Sequence, residues 1–124
     1  MDGSLIDAII AACSKTKNIN EVLPLAGVRP EGSHEQFCLQ FAERVARRYL
    51  HHDIDFLTAD SAMNWLFAYS YVTEDCPGEM PILAREIYEA FDSGEYYHHG
   101  DDRTEDPEKK YTQTQIRNIV ETKL

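Results

Sequence analysis

Two stretches of this chain carry side chains that ligate transition metals: His51-His52-Asp53-Ile54-Asp55 and Glu95-Tyr96-Tyr97-His98-His99-Gly100-Asp101-Asp102. Imidazole and carboxylate together suit zinc, iron or manganese, and a helical bundle can bring two inter-helix segments together at one end. The spacing counts against a built site. Adjacent histidines on a helix point about 100° apart, so only one of His51/His52 and one of His98/His99 can face a common ion. Glu95 and His98 match the Glu-x-x-His step of carboxylate-bridged di-iron bundles, but they follow Gly94, where helical geometry is expected to end, and no second helical copy exists. Glu31 and His34 share that spacing only across a Gly-Ser cap. The run Asp101 to Asp106 lacks the alternating acids and central glycine of a calcium loop. The main expectation is therefore solvated helix ends and no cofactor. The alternative is a metal-binding protein or metal-dependent enzyme using His51, His52, Asp55, His98 and His99.

Nucleophilic chemistry has weaker support. Cys76 lies among Glu74, Asp75 and Glu79, whose charges disfavour a thiolate, while Cys13 and Cys38 fall on apolar stripes as small core residues. Three widely spaced cysteines make neither a disulfide framework nor a thiolate zinc site, so reduced thiols and a cytoplasmic location are expected. There is no Gly-x-Ser-x-Gly elbow, phosphate-binding glycine loop or His-Glu-x-x-His. Glu86, Glu89 and Asp92 follow one another at three-residue steps and read as an exposed polar face rather than an acid–base pair. No catalytic residue is assigned, and a non-enzymatic role is favoured.

Charge is the stronger signal. From Asp53 to Glu108 there are fifteen acidic side chains and two basic ones, Arg85 and Arg103, whereas the first 52 residues balance at six against six. The 53–108 stretch alone thus carries −13, against a whole-chain net charge of −10. Such a surface repels nucleic acid and anionic membranes and attracts cations or a basic protein. The step Arg44, Arg47, Arg48 does not reverse this, because three arginines in so acidic a protein are expected to pair with nearby carboxylates. Tyr88, Tyr96 and Tyr97 lie among Glu86, Glu89, Asp92, Glu95, Asp101 and Asp102. Tyrosine anchors interfaces by offering a large area at low entropic cost.

These residues must be held by helices. Leu5, Ile6, Ile9, Ile10 and Cys13 recur three and four apart behind Ser4, predicting a helix to about Lys17. Pro24, Gly27, Pro30 and Gly32 then break the pattern, leaving at most one short turn around Glu21 to Leu25. Ser33 with Gln36 forms a capping box before two stripes, Phe37/Phe41/Val45/Tyr49 and Cys38/Ala42/Ala46/Leu50. Thr58 or Asp60 can cap a third helix that is apolar nearly all round, through Ala62, Trp65, Leu66, Tyr69 and Val72, and so should be central. Pro81 opens a fourth helix as its first residue, and Gly94 supplies a left-handed stop. Glu95 to Glu108 suits an exposed loop; Asp106-Pro107 or Thr112 with Gln115 starts a last helix docked by Ile116, Ile119 and Val120. With no alternating strand pattern, no repeat and no membrane-length apolar run, the expectation is an all-α bundle of about five helices in one domain, residues 1–124.

A small, acidic, helical chain with Tyr96-Tyr97 among carboxylates resembles the immunity proteins that neutralise bacterial nuclease toxins. The charge and tyrosine pattern itself predicts a non-enzymatic binding protein that occludes a basic partner with the 53–108 surface, through Tyr88, Glu95, Tyr96, Tyr97, Asp101 and Asp102, and the resemblance implies an immunity or antitoxin form of that role. A structural subunit or homodimer, using the apolar third helix or Trp65 as part of an interface, is the remaining alternative.

Overall fold

The described residues of the computed structural model are 3–72 and 77–124, and among them every regular element is helical. In chain order these are α1 (Gly3–Lys15), α2 (Ile19–Ala26), α3 (His34–Leu50), α4 (Phe56–Tyr71), α5 (Ile82–Ser93) and α6 (Thr114–Lys123), with a π-helical turn, Glu108–Gln113, leading into α6. The all-helical bundle expected from periodicity is what forms. Cys76 lies outside the described residues.

Helix α4 is central, touching α1, α2, α3 and α5, while α6 closes the bundle against α3 and α5. Its all-round apolar character explains this placement: Ala59, Ala62, Met63, Trp65 and Leu66 are all buried. Around it the two stripes of α3 bury Phe37, Cys38, Phe41, Ala42, Val45, Ala46 and Tyr49. Phe41 and Trp65 meet with ring centroids 5.4 Å apart, and Trp65 stacks on Tyr69 at 5.0 Å. Each such aromatic buries a large apolar area, and burial at about 25 cal/mol per Å² supplies the main stabilising term. With only 4% of its surface exposed, Trp65 is core.

Several local expectations need correction. Between α1 and α3 there is a full eight-residue helix rather than one turn: Asn18 caps it by accepting from the Asn20 N–H, and Gly27 ends it in the left-handed region at φ 71°. Pro24 removes one donor, but the buried Val22 holds the helix to the core. Helix α4 is capped by Asp55, whose carboxylate accepts from the Thr58 N–H at 2.8 Å, and not by Thr58 or Asp60. Pro81 is the cap of α5 rather than its first residue.

Gly94 does not stop α5 by a left-handed turn, since its φ is −85°. It is small for a different reason. A Cβ there would overlap the Thr112 side chain and lie 3.3 Å from the Glu108 Cα. Thr112 is fully buried in the π-helical turn and donates to the Ala90 carbonyl at 2.7 Å, pinning the start of the last helix onto the end of α5. The Asp106-Pro107 alternative thus marks that start correctly, with the turn widened where Thr112 must reach α5.

Candidate anionic site

Helix α4 and the end of α5 bring Asp60, Asp92 and Glu95 together around Tyr88. The Glu95 carboxyl is within hydrogen-bond reach of Asp60, Asp92 adds its field, and all three act on the Tyr88 hydroxyl. Tyr88 is held by stacking on Phe67 at 4.6 Å. Burial, then the neighbouring Glu95 carboxyl, push the Asp60 carboxyl up to about 8. Its Oδ2 accepts from Asn64, while its buried Oδ1 has no donor from elsewhere in the protein. A protonated Asp60 carboxyl can donate to the neighbouring Glu95 carboxyl. Burial and Glu95 also raise Asp92.

Among the described residues, no Lys or Arg lies within ion-pair distance of Asp60, Asp92 or Glu95. Several carboxylates on other surfaces are ion-paired. Asp7 holds Arg44 at 2.6 Å and Arg48 at 3.1 Å, Glu43 holds Arg47, Glu86 holds Lys123 and Glu89 holds Arg85. The three arginines of α3 therefore pair with carboxylates, as their setting predicts.

The expected contact residues divide into two kinds. Glu95, Tyr96 and Tyr97 are exposed, with Tyr96 at 52% the more open of the tyrosines. Tyr97 is partly engaged, because its hydroxyl donates to the Arg103 carbonyl and the Arg103 guanidinium lies over its ring at 4.7 Å. Asp102 is exposed and accepts from the Thr104 N–H. Asp101 is different: only 7% of its side chain is accessible. It accepts from Lys110 Nζ at 2.8 Å, from the Tyr111 hydroxyl and from the His98 N–H. These donors, Lys110 first, hold its carboxyl well below the usual carboxylate range. Asp101 is thus a staple for its loop.

That role gives a prediction. Asp101→Ala releases the 98–104 segment while leaving the helical core folded, so amide exchange at His98 speeds up by about tenfold or more with little change in the global melting transition. The same release occurs in the wild type as pH falls through the acid range: a carboxyl held low contributes above its unfolded pKa and loses that contribution on protonation. Unchanged exchange in the variant contradicts the assignment.

The histidine pairs are not assembled for metal. His51 and His52 are exposed at the end of α3, and Asp55 is committed to capping α4. His98 is sandwiched between Tyr96 at 4.5 Å and Tyr111 at 4.0 Å, with its Nε2 2.9 Å from the Ser93 carbonyl. His99 is exposed. Among the described residues, no three His, Cys, Asp or Glu side chains are grouped as ligands.

A polar network that sequence reasoning did not assemble joins α3 to α4. His34 Nε2 lies 3.0 Å from Ser70 Oγ and 3.2 Å from Cys38 Sγ. Burial lowers the His34 imidazole and pushes the Cys38 thiol up to about 11, so both are neutral near pH 7. Cys38 and Ser70 are wholly inaccessible, which makes the cluster an inter-helix pin rather than a nucleophile. The four-residue spacing of His34 and Cys38 on one helix face was the available signal.

Comparison with family models, with curated proteins and with solved structures finds no match to this chain. Among the described residues, no helix is long and apolar enough to cross a membrane.

Proposed function

We propose that this chain is a non-enzymatic binding module that presents the Asp60/Asp92/Glu95 face, flanked by Tyr88, Tyr96, Tyr97 and Asp102, to a basic protein. The observation that supports the reading is the convergence of three carboxyl groups from two elements, Asp60 holding its proton to about pH 8, with no Lys or Arg among the described residues in ion-pair distance, next to a half-exposed tyrosine. Cationic side chains of a partner supply the missing counter-charge, and Tyr96 supplies apolar contact area. Its sharpest form is an immunity or antitoxin role in a bacterial cytoplasm, occluding the basic surface of a nuclease. Asp101 leaves the contact set because the loop already uses it.

The test is affinity capture on the immobilised chain at about 0.05 M and about 0.5 M salt, where screening shortens to a few ångströms. Basic proteins are expected to be retained at low salt and released at high salt. The combined variant Glu95→Lys with Tyr96→Ala, both at exposed positions, is expected to weaken retention by about tenfold or more. Retention that ignores both salt and substitution overturns the proposal.

A further inference from the structure

A cavity of about 230 Å³ opens where the end of α1, the start of α2 and the middle of α4 meet. Val22, Trp65 and Ala68 form its apolar wall, and Lys17, Ser61 and Asn64 stand among its polar lining. Lys17 Nζ donates to Ser61 Oγ at 3.0 Å, so the ammonium is held at the mouth by a hydroxyl rather than neutralised by a carboxylate. In a chain with 22 acidic residues against 12 basic ones, no acid among the described residues lines this cavity. At the rim Glu21 accepts from the Thr16 hydroxyl, and Asp60 accepts from the lining Asn64. The indole Nε1–H of Trp65 is buried and has no hydrogen-bond partner among the described residues.

Size and chemistry together define an occupant. An apolar cavity of about 150 Å³ holds a benzene ring, so this one accommodates a ring and a short arm. The charged mouth asks that the arm end in an anion. We infer that the cavity is a binding site for a small monocarboxylate with a ring-sized apolar body, its ring against Trp65 and its carboxylate on Lys17 and Ser61. Asn64 joins this cavity to the carboxylate face through its hydrogen bond to Asp60, but the proposed binding uses Lys17, Ser61 and Trp65 and does not depend on the protein-binding role.

Trp65 is the chain's one tryptophan, so its fluorescence and its indole N–H resonance report on the cavity directly. The full chain is titrated with phenylacetate, with 2-phenylethanol as the neutral isostere and acetate as the head group alone. Phenylacetate is expected to give a saturable change in both signals at or below millimolar concentration, with 2-phenylethanol at least about fivefold weaker and acetate without effect. Lys17→Met, at an exposed position where the fold tolerates it, is expected to bring phenylacetate down to the level of the neutral isostere. Equal binding of 2-phenylethanol by the wild type, phenylacetate binding that Lys17→Met leaves unchanged, or no saturable signal up to about 10 mM phenylacetate overturns the inference.

Discussion

Replacing Gly94 by alanine is expected to cost about 2–4 kcal/mol of stability, the largest effect of any single methyl group added to this chain. The new Cβ enters the space of the Thr112 side chain and presses on the Glu108 backbone. Thr112 cannot swing away freely, because it is fully buried and its hydroxyl donates to the Ala90 carbonyl. The clash must therefore push the π-helical turn off α5, and the docking of Ile116 and Ile119 is weakened with it. Urea denaturation of the two proteins at neutral pH measures the loss. Were Gly94 present for backbone freedom, the penalty would be small, since its φ of −85° is one that alanine adopts readily. A loss below about 0.5 kcal/mol contradicts the packing explanation.

Asp60→Asn is expected to do the opposite, stabilising the protein by about 1–3 kcal/mol at pH 8 and by almost nothing near pH 4. Unfolded, Asp60 ionises with an ordinary carboxyl pKa; folded, burial and the Glu95 carboxyl hold its proton until about pH 8. The native state therefore keeps a proton that the unfolded chain has released, and the Asp60 contribution to stability falls as pH rises from about 4 to about 8. Asparagine cannot ionise, yet its Nδ2 can donate to Glu95 as the protonated acid does. The difference between variant and wild type should thus open across that window. Urea melts at both ends of it provide the check, and an equal gain at the two pH values would remove the shared proton from the account.

Much of the fold was legible because it is local. The Ser33 cap and the four-residue stripes of α3 state a helix and its buried face together, and the apolar circumference of α4 marks it as central. Helix α2 was underread because Pro24 and Gly27 speak against it locally, while the packing of Val22 that rescues it is tertiary. Gly94 was misread for the same reason, its constraint coming from Thr112, eighteen positions further on.

The candidate site was legible in charge and not in geometry. Counting acids between Asp53 and Glu108 located the anionic half, and the exposed Glu95 and Tyr96 lie in it as expected. Composition cannot tell a carboxylate with a neighbouring cation from one without. Asp101 and Glu95 look alike in sequence, yet Lys110, Tyr111 and the His98 amide absorb the first, while no Lys or Arg among the described residues pairs with the second. Asp60 read as a helix cap, although a carboxylate on a helix buried on nearly every side was the hint that it faces other groups. Its partners, Asp92 and Glu95, are more than thirty residues away and only folding brings them near.

The account rests on negative potential concentrated at the junction of α4 and α5. The most direct measurement is a titration of the isotope-labelled chain with an arginine-rich peptide, followed by backbone amide resonances at low salt. Shifts are predicted to centre on Asp60, Tyr88, Asp92, Glu95 and Tyr96, and to disappear with Glu95→Lys. Shifts spread evenly over Glu21, Glu31, Glu35 and Glu121, or centred there, would contradict it.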